Sequence, residues 1–160
     1  MSIERAREQL EKFGLSNRIK EFNVSSATVD LAAKALGVEP EVIAKTIAVE
    51  DQDREGCILI VAAGNGKLCN QKFKQQFGFK AKMLKFDCVE EKTGHPVGGV
   101  CPFGVNEGAK VYLDASLKKF EKVFPAAGTP NTAVELTVEE LCRVTGCDEF
   151  IDVCKEAEFQ

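Results

Sequence analysis

The stretch TIAVEDQDREGCILIVAA, residues 46–63, contains two apolar segments separated by a polar turn. Residues 46–49 and 57–63 are rich in β-branched and other apolar side chains, whereas residues 50–56 are mostly charged or polar and end at Gly56. Short apolar runs of this kind, bounded by turn residues, favour β-strands. The stretch therefore predicts an interior β-hairpin.

Helical and strand-like patterns lie on both sides of this hairpin. Apolar spacing and capping residues predict helices near residues 2–13, 28–36, 40–44, 70–77, 88–92 and 137–144, and strands near 18–22, 81–85, 110–113, 122–127 and 133–136. Thr137, followed three residues later by Glu140, is typical of a capping box. Helices scattered among many strands predict a mixed α/β fold, and 160 residues suit one domain over 1–160.

The composition argues against several classes of protein. The longest strongly apolar run is residues 57–63, whereas a membrane-spanning helix needs roughly 20 apolar residues, so no membrane partner is expected. No apolar stretch follows a basic tip after Met1, so no secretory signal is expected and the predicted location is the cytoplasm. A net charge of −4 argues against a protein that coats DNA.

Residues 28–46 imitate a helix-turn-helix, which leaves a specific DNA reader as an alternative to consider. A recognition helix needs polar and basic side chains along its length. The second helix here would be PEVIA, residues 40–44, with only Lys45 at its end. We therefore expect no DNA partner.

The chain has seven cysteines and one histidine, His95. No CxxC pair occurs, and the closest group (Cys142, Cys147 and Cys154) has a spacing that matches zinc sites poorly, so we expect no metal. Most cysteines are expected to be small buried apolar side chains. A Cys101–His95 hydrolase pair stays open, although no third residue that would orient the histidine is evident.

Two features could carry chemistry. Strand alternation places Lys45 on the same face as Ile47 and Val49, where it is either a ligand-facing ammonium at the mouth of a pocket or a surface lysine whose stem passes Ile43. The loop GHPVGGVCPFG, residues 94–104, is the second feature. Its glycines let backbone N–H groups approach a carbonyl or oxyanion closely, although an ordinary tight connection would look the same.

The charges are unevenly distributed along the chain. No Asp or Glu occurs between residues 56 and 86, and this stretch contains Lys67, Lys72, Lys74, Lys80, Lys82 and Lys85. These lysines could bind a few phosphates at one end of an RNA. Alternatively, they are a solvated face around the core residues Phe73, Phe77 and Phe79.

Four motifs in order resemble the YbaK family, the editing domain associated with prolyl-tRNA synthetase. They are AAKALGV (32–38), AKTIAV (44–49), GGVCPFG (98–104) and AAGTPNTAVELTVEEL (126–141), and the resemblance covers about residues 18–145. The third motif contains the family's G-x-x-x-P loop as Gly98 to Pro102. The resemblance implies a mixed sheet that curls toward a barrel and is surrounded by helices.

The resemblance also implies an aminoacyl-tRNA deacylase that serves translation fidelity without a metal or cofactor. Such proteins cleave the ester between a wrong, small amino acid and the 3′ end of a tRNA, often the tRNA for proline. Aminoacyl-tRNA is then the partner, with an aminoacyl-tRNA synthetase as a further candidate. The family lysine corresponds to Lys45, as the catalytic residue that positions the substrate. The implied substrate-binding residues are Gly98, Gly99, Val100, Cys101, Pro102, Phe103, Gly128, Thr129 and Asn131, and the implied tRNA phosphate patch is Lys67, Lys72, Lys74, Lys80 and Lys82.

The sequence departs from the family pattern at two positions. Some members have Ser and Asp where this chain has Ala126 and Ala133, so a polar contact to the substrate is missing or is made elsewhere, with Thr129 and Asn131 as candidate substitutes. The departure affects the expected amino-acid specificity more than the reaction. The alternative function is a module that binds tRNA or a synthetase and catalyses nothing.

Overall fold

The predicted hairpin forms the centre of the computed structural model, which describes residues 2–52 and 55–156. Strand β2 (Ile43–Glu50) pairs antiparallel with β3 (Cys57–Ala63) along its length, from Ala44 opposite Ala63 to Glu50 opposite Cys57. The strand β2 begins earlier than predicted, because residues after Pro40 form a single 3-10 turn (Pro40–Val42) rather than a helix to residue 44.

The hairpin lies in the middle of a curled, six-stranded mixed sheet with the order β8-β6-β2-β3-β5-β9. Strand β5 (Ala109–Asp114) runs parallel to β3, and β6 (Lys122–Pro125) runs parallel to β2. Every residue of β3 is buried, as expected for a central strand covered on both faces. The predicted mixed α/β class is confirmed.

The remaining elements surround this sheet. Strands β1 and β7 form one two-stranded sheet, and β4 and β10 form another. The helices are α1 (Ser2–Glu11), α2 (Val29–Leu36), α3 (Asn70–Phe77), α4 (Val89–Thr93) and α5 (Val138–Thr145), and the remaining strands are β1 (Ile19–Glu21), β4 (Gly66–Leu68), β7 (Thr132–Val134), β8 (Leu136–Thr137), β9 (Phe150–Ile151) and β10 (Cys154–Glu156). Among the described helices, none is long and apolar enough to cross a membrane.

Alternation along the hairpin divides the core into layers. Ala44 and Val61 pack with helices α1 and α5, whereas Ile58 and Ile60 pack on the opposite side with Phe73 of α3. Helix α2 covers the first residue of β2, because Ala32 and Ala33 pack in one cluster with Ile43 and with Phe124 of β6. Strand β2 therefore lies between a layer with α1 and α5 and a layer with α3.

Two sequence-based expectations for strands were wrong in detail. Residues 81–85 form only an isolated bridge, with Met83 opposite Val49, and not a strand. The expected strand 133–136 is divided, because Thr132–Val134 pairs with β1 whereas Leu136–Thr137 pairs with β6. The short strands β4, β9 and β10 were not predicted, since two or three residues give no readable alternation.

The outer edge of β2 is paired at its two ends and open between them. Ile43 and Ala44 pair with β6, and at the other end the backbone of Leu84 donates to Ala48 over 3.0 Å. Backbone groups of alternate residues point to the same edge of a strand. The N–H and C=O of Thr46 therefore face the gap, and no backbone partner covers them in the part of the chain that the structure describes.

The predicted capping box at the start of α5 is confirmed in both halves. The Glu140 amide donates to Thr137 Oγ1 over 3.0 Å, and the Thr137 amide donates to Glu140 Oε1 over 2.9 Å. We expect Thr137→Ala to lower the free energy of unfolding by about 1 kcal/mol, because a helix N–H loses its acceptor. Urea unfolding measures this change, with Thr137→Ser as the control that keeps the hydroxyl. Equal stability of the Ala and Ser variants would contradict the prediction.

Candidate active site

A cavity of about 320 Å³ opens at the uncovered edge of β2. Several parts of the chain form its wall: the approach to α2, the strand β2, the segment with Met83 and Leu84, the glycine loop, and the ends of β6 and β7. The lining includes residues 26–29 and 43–48, together with Met83, Leu84, Val97, Gly98, Val100, Phe124, Ala126, Thr132 and Ala133. The wall is predominantly apolar, with few polar groups.

Lys45 lies on β2 and lines this cavity, opposite Ala62 of β3. Its side chain is half-buried, and burial lowers the pKa of the ammonium. Among the described residues, no carboxylate pairs with it. The nearest acidic influence is the Cys154 thiol, whose own pKa burial raises to about 12, so it carries no charge near neutral pH. Lys45 is therefore a partly desolvated cation without a counter-ion.

Gly98 and Gly99 allow the glycine loop to pack closely against its neighbours. Gly98 has φ +86°, a left-handed conformation that suits glycine. A Cβ at position 99 would lie 2.7 Å from the backbone of Thr129, so only glycine fits there. The pair brings the loop against both the approach to α2 and the turn after β6.

The amides of this loop are not equivalent. The Gly99 amide donates to the Pro96 carbonyl over 3.0 Å and so closes the turn, whereas Pro102 has no N–H to give. Gly98 and Val100 line the cavity, and within the described residues their amides donate to no protein acceptor. The amide of Val97, which also lines the cavity, likewise donates to no acceptor among the described residues.

Cys101, Pro102 and Phe103 of the loop are buried and do not line the cavity. The two side chains of the open Cys–His hypothesis do meet: Cys101 Sγ lies 3.5 Å from His95 Nε2. However, His95 Nε2 also lies 2.6 Å from the Phe103 carbonyl. Because a carbonyl only accepts hydrogen bonds, this nitrogen carries the proton and cannot take one from the thiol.

The electrostatics of this buried pair agree with that geometry. Burial raises the pKa of the Cys101 thiol to about 12 and lowers the pKa of His95. Both side chains have no accessible surface. A neutral thiol sealed from substrate is a packing residue and not a nucleophile.

The turn after β6 contributes fewer ligand contacts than expected. Gly128, Thr129 and Asn131 are absent from the cavity lining. Thr129 Oγ1 donates to Asn131 Oδ1 over 2.9 Å, and Asn131 Nδ2 donates to the Phe22 carbonyl over 3.0 Å. These polar atoms hold the turn together and lie outside the cavity lining. Ala126 and Ala133 themselves line the cavity.

The lysines of the predicted phosphate patch lie on several different elements. Lys72 Nζ contacts Asp152 over 2.9 Å and the Cys154 carbonyl over 3.0 Å, so it is used within the fold. Lys67 lies on β4 and Lys74 on α3, away from the cavity lining. Lys80 and Lys82 lie in the segment that leads to Met83 and Leu84. Met83 and Leu84 line the cavity.

Sequence reasoning missed several lining residues, above all Thr46. Its Oγ1 is buried without a hydrogen-bond partner in the described part of the protein, and its backbone faces the cavity edge. A single polar residue between Lys45 and Ile47 was the only signal. Ser26, Thr28 and Met83 were also missed, because nothing local in the sequence shows that their segments meet β2.

No three His, Cys, Asp or Glu side chains within residues 2–52 and 55–156 lie close enough to share a metal ion.

Comparison with known proteins identifies the family. A family model described as the aminoacyl-tRNA editing domain matches residues 24–144. The chain is 47% identical over 158 residues to the uncharacterized protein YwhH of Bacillus subtilis (strain 168), covering 99% of this chain and 100% of that protein.

Two solved structures are also similar. A candidate trans-editing enzyme for prolyl-tRNA synthetase is 30% identical with a TM-score of 0.85, over 96% of this chain and 97% of that one. The hypothetical protein APE2540 is 30% identical with a TM-score of 0.84, over 94% of this chain and 99% of that one. These matches confirm the YbaK-like resemblance of the four motifs, and the chain belongs to the aminoacyl-tRNA editing domain family.

Proposed function

We propose that this protein hydrolyses the ester of mischarged tRNA. The main supporting observation is that Lys45, Gly98 and Val100 line one cavity. Among the described residues, the Lys45 ammonium has no counter-ion, and the amides of Gly98 and Val100 donate to no protein acceptor. Membership of the editing-domain family and the similarity to a candidate trans-editing enzyme support this reaction. The substrate is then an aminoacyl-tRNA, and the reaction belongs in the cytoplasm, where these molecules are made.

In the proposed mechanism, the backbone amides bind the carbonyl oxygen of the ester. Water attacks the carbonyl carbon, the bond from this carbon to the ribose oxygen breaks, and a proton of the water passes to that oxygen, which leaves as the ribose hydroxyl. Negative charge develops on the carbonyl oxygen during attack, and amides fixed in place stabilise it without reorganising. Gly98 and Val100 take this role because Gly99 donates within the turn and Pro102 has no N–H.

Lys45 positions the substrate through its charge. A lysine ordinarily has a pKa of about 10.4, and burial lowers the pKa of Lys45, although its half-buried state still leaves contact with water. A cation is a poor general base, so we assign it to the terminal phosphate or the substrate oxygens. Lys45 would hold the ester beside the amides and the attacking water, and this positioning would accelerate the reaction.

The wall of the cavity favours a small acyl group. Phe124, Ala126 and Ala133 present apolar surface, and no carboxylate lines the cavity in the part of the protein that is described. Such a pocket excludes large side chains by volume but separates neighbours that differ by one methylene by only ~1–3 kcal/mol. Alanyl, cysteinyl and seryl esters are the proposed substrates, with the tRNA for proline as the first one to test, because the similar structure is tied to prolyl-tRNA synthetase.

Lys45→Ala should slow release of alanine from mischarged tRNA for proline by about 100-fold or more, the cost typical of losing one electrostatic group in a preorganised site. Deacylation of radiolabelled substrate measures the rate, and circular dichroism checks the fold. Lys34→Ala is the matched control, because Lys34 is an exposed lysine on α2. Full activity of Lys45→Ala would remove Lys45 from the mechanism.

The same assay separates the enzyme from a binding module. If the wild-type protein binds mischarged tRNA but does not accelerate ester loss, the proposed hydrolysis is wrong and the binding role is supported. A panel of tRNAs mischarged with alanine, cysteine and serine then defines which ester is cut.

Lys45→Met should raise the free energy of unfolding at neutral pH, because the ammonium is partly desolvated in the folded protein. Burial disfavours the ammonium in the folded state, so the folded pKa lies below the unfolded one and the charge destabilises the fold. The difference should shrink as pH rises through the lowered pKa, where Lys45 becomes neutral. Urea unfolding at two pH values measures it, and a less stable Met variant would show that the ammonium has a stabilising partner.

Cys101→Ala should retain most deacylation activity, because the thiol is buried under the loop and does not line the cavity. Some stability is lost, since the residue belongs to the main core cluster. Cys147→Ala is the control, a partly buried cysteine packed against the same cluster. Loss of activity in Cys101→Ala with an intact fold would instead support the cysteine-dependent enzyme.

A further inference from the structure

Residues 80–86, KAKMLKF, form an exposed apolar and basic rim beside the cavity. Met83 is 58% exposed and Phe86 77% exposed, and Phe86 is the most exposed large apolar side chain in the described residues. Lys80, Lys82 and Lys85 are also exposed. Met83 and Leu84 of this stretch also line the cavity wall. Residues 80–86, which we call the rim segment, are therefore continuous with the site.

The rim segment is held firmly by β2. The Glu50 amide donates to the Lys82 carbonyl over 2.8 Å, and the Leu84 amide donates to the Ala48 carbonyl over 3.0 Å. Leu84 is buried in a core cluster with Leu59 and Val89. Leu84 is the one buried side chain of the rim segment, whereas Lys82, Met83, Lys85 and Phe86 are exposed around it.

The chemistry of the rim segment fits a flexible anionic ligand with flat apolar groups. No acidic residue occurs between positions 56 and 86. Acids near the segment include Glu50, whose carboxylate lies 3.9 Å from Lys82 Nζ, Asp87, which follows Phe86, and Glu90 and Glu91 of α4. The Glu50 carboxylate is near Lys82, and Asp87 contacts the Cys88 thiol, so neither of these two contacts involves Lys80 or Lys85. Single-stranded RNA is recognised by this combination of exposed aromatic rings for stacking and lysines for phosphates.

We propose that the rim segment binds the unpaired 3′-terminal nucleotides of aminoacyl-tRNA, with Phe86 stacked on a base and Lys82 and Lys85 at phosphates. This inference rests on the proposed function, because an acyl group seated in the cavity brings the nucleotides attached to it past Met83 and Leu84. The rim would then bind any tRNA alike, since stacking accepts every base, whereas the cavity selects the amino acid.

The first test separates KM from kcat in deacylation of mischarged tRNA. Phe86→Ala should raise KM about tenfold, the loss expected from one stacked base, and leave kcat unchanged. Lys85→Ala should reduce the salt slope of binding by about 0.7, the value for one phosphate of a single strand. Lys12→Ala is the matched control, because Lys12 is exposed and does not line the cavity. Phe86→Trp should restore the wild-type KM.

The second test measures binding alone. The chain has no tryptophan, so Phe86→Trp introduces a single fluorophore at the rim. An RNA hairpin that ends in unpaired CCA should quench this fluorescence on binding, and the same hairpin with a blunt end should not.

The two tests distinguish the failure of the inference from that of the proposed function. Unchanged KM in Phe86→Ala, or equal quenching by both hairpins, would overturn the rim assignment even if the protein hydrolyses mischarged tRNA. Conversely, CCA-dependent quenching without hydrolysis by the wild-type protein would keep the RNA-binding rim and overturn the hydrolase. Loss of synthetase binding in Phe86→Ala with an unchanged KM would assign the rim to a protein partner and likewise overturn the inference.

Discussion

The cavity depends on the interrupted pairing of one strand. Strand β2 is hydrogen-bonded to β3 along its length, but its other edge is covered only by β6 at Ile43 and Ala44 and by the rim segment at Ala48 to Glu50. An exposed strand edge is usually blocked or covered. Here the gap between two covering segments leaves a space about as wide as three residues, and Lys45 and Thr46 lie within it.

Part of this arrangement could be predicted from the sequence because it depends on short-range periodicity. Alternation of two residues in a strand placed Lys45 beside Ile47, and the capping box placed the start of α5. Charge along the sequence was less informative. Lysines close in sequence separate when the chain changes element, so Lys67 and Lys74 lie on different elements from the rim segment, whereas Lys72 is used within the fold.

The sequence could not predict which side of the glycine loop faces the core and which side faces the cavity. The spacing left open a contact between Cys101 and His95, and the two side chains do meet, but on the side of the loop that faces the core. Only tertiary packing decides which side of such a loop faces a ligand. The same limit applies to Thr46 and Ser26, whose role in the wall depends on segments that are distant in sequence. The free amides of Gly98 and Val100 are likewise visible only after the Gly99 hydrogen bond is known.

The close fit of Gly99 against the Thr129 backbone has an evolutionary consequence. The donors offered by the loop belong to the main chain, so a side-chain substitution in the wall cannot delete them. In the proposed mechanism, a substitution at Ala126 or Ala133 therefore changes the shape of the cavity wall and leaves the loop amides in place. Selectivity and hydrolysis would then be able to evolve separately.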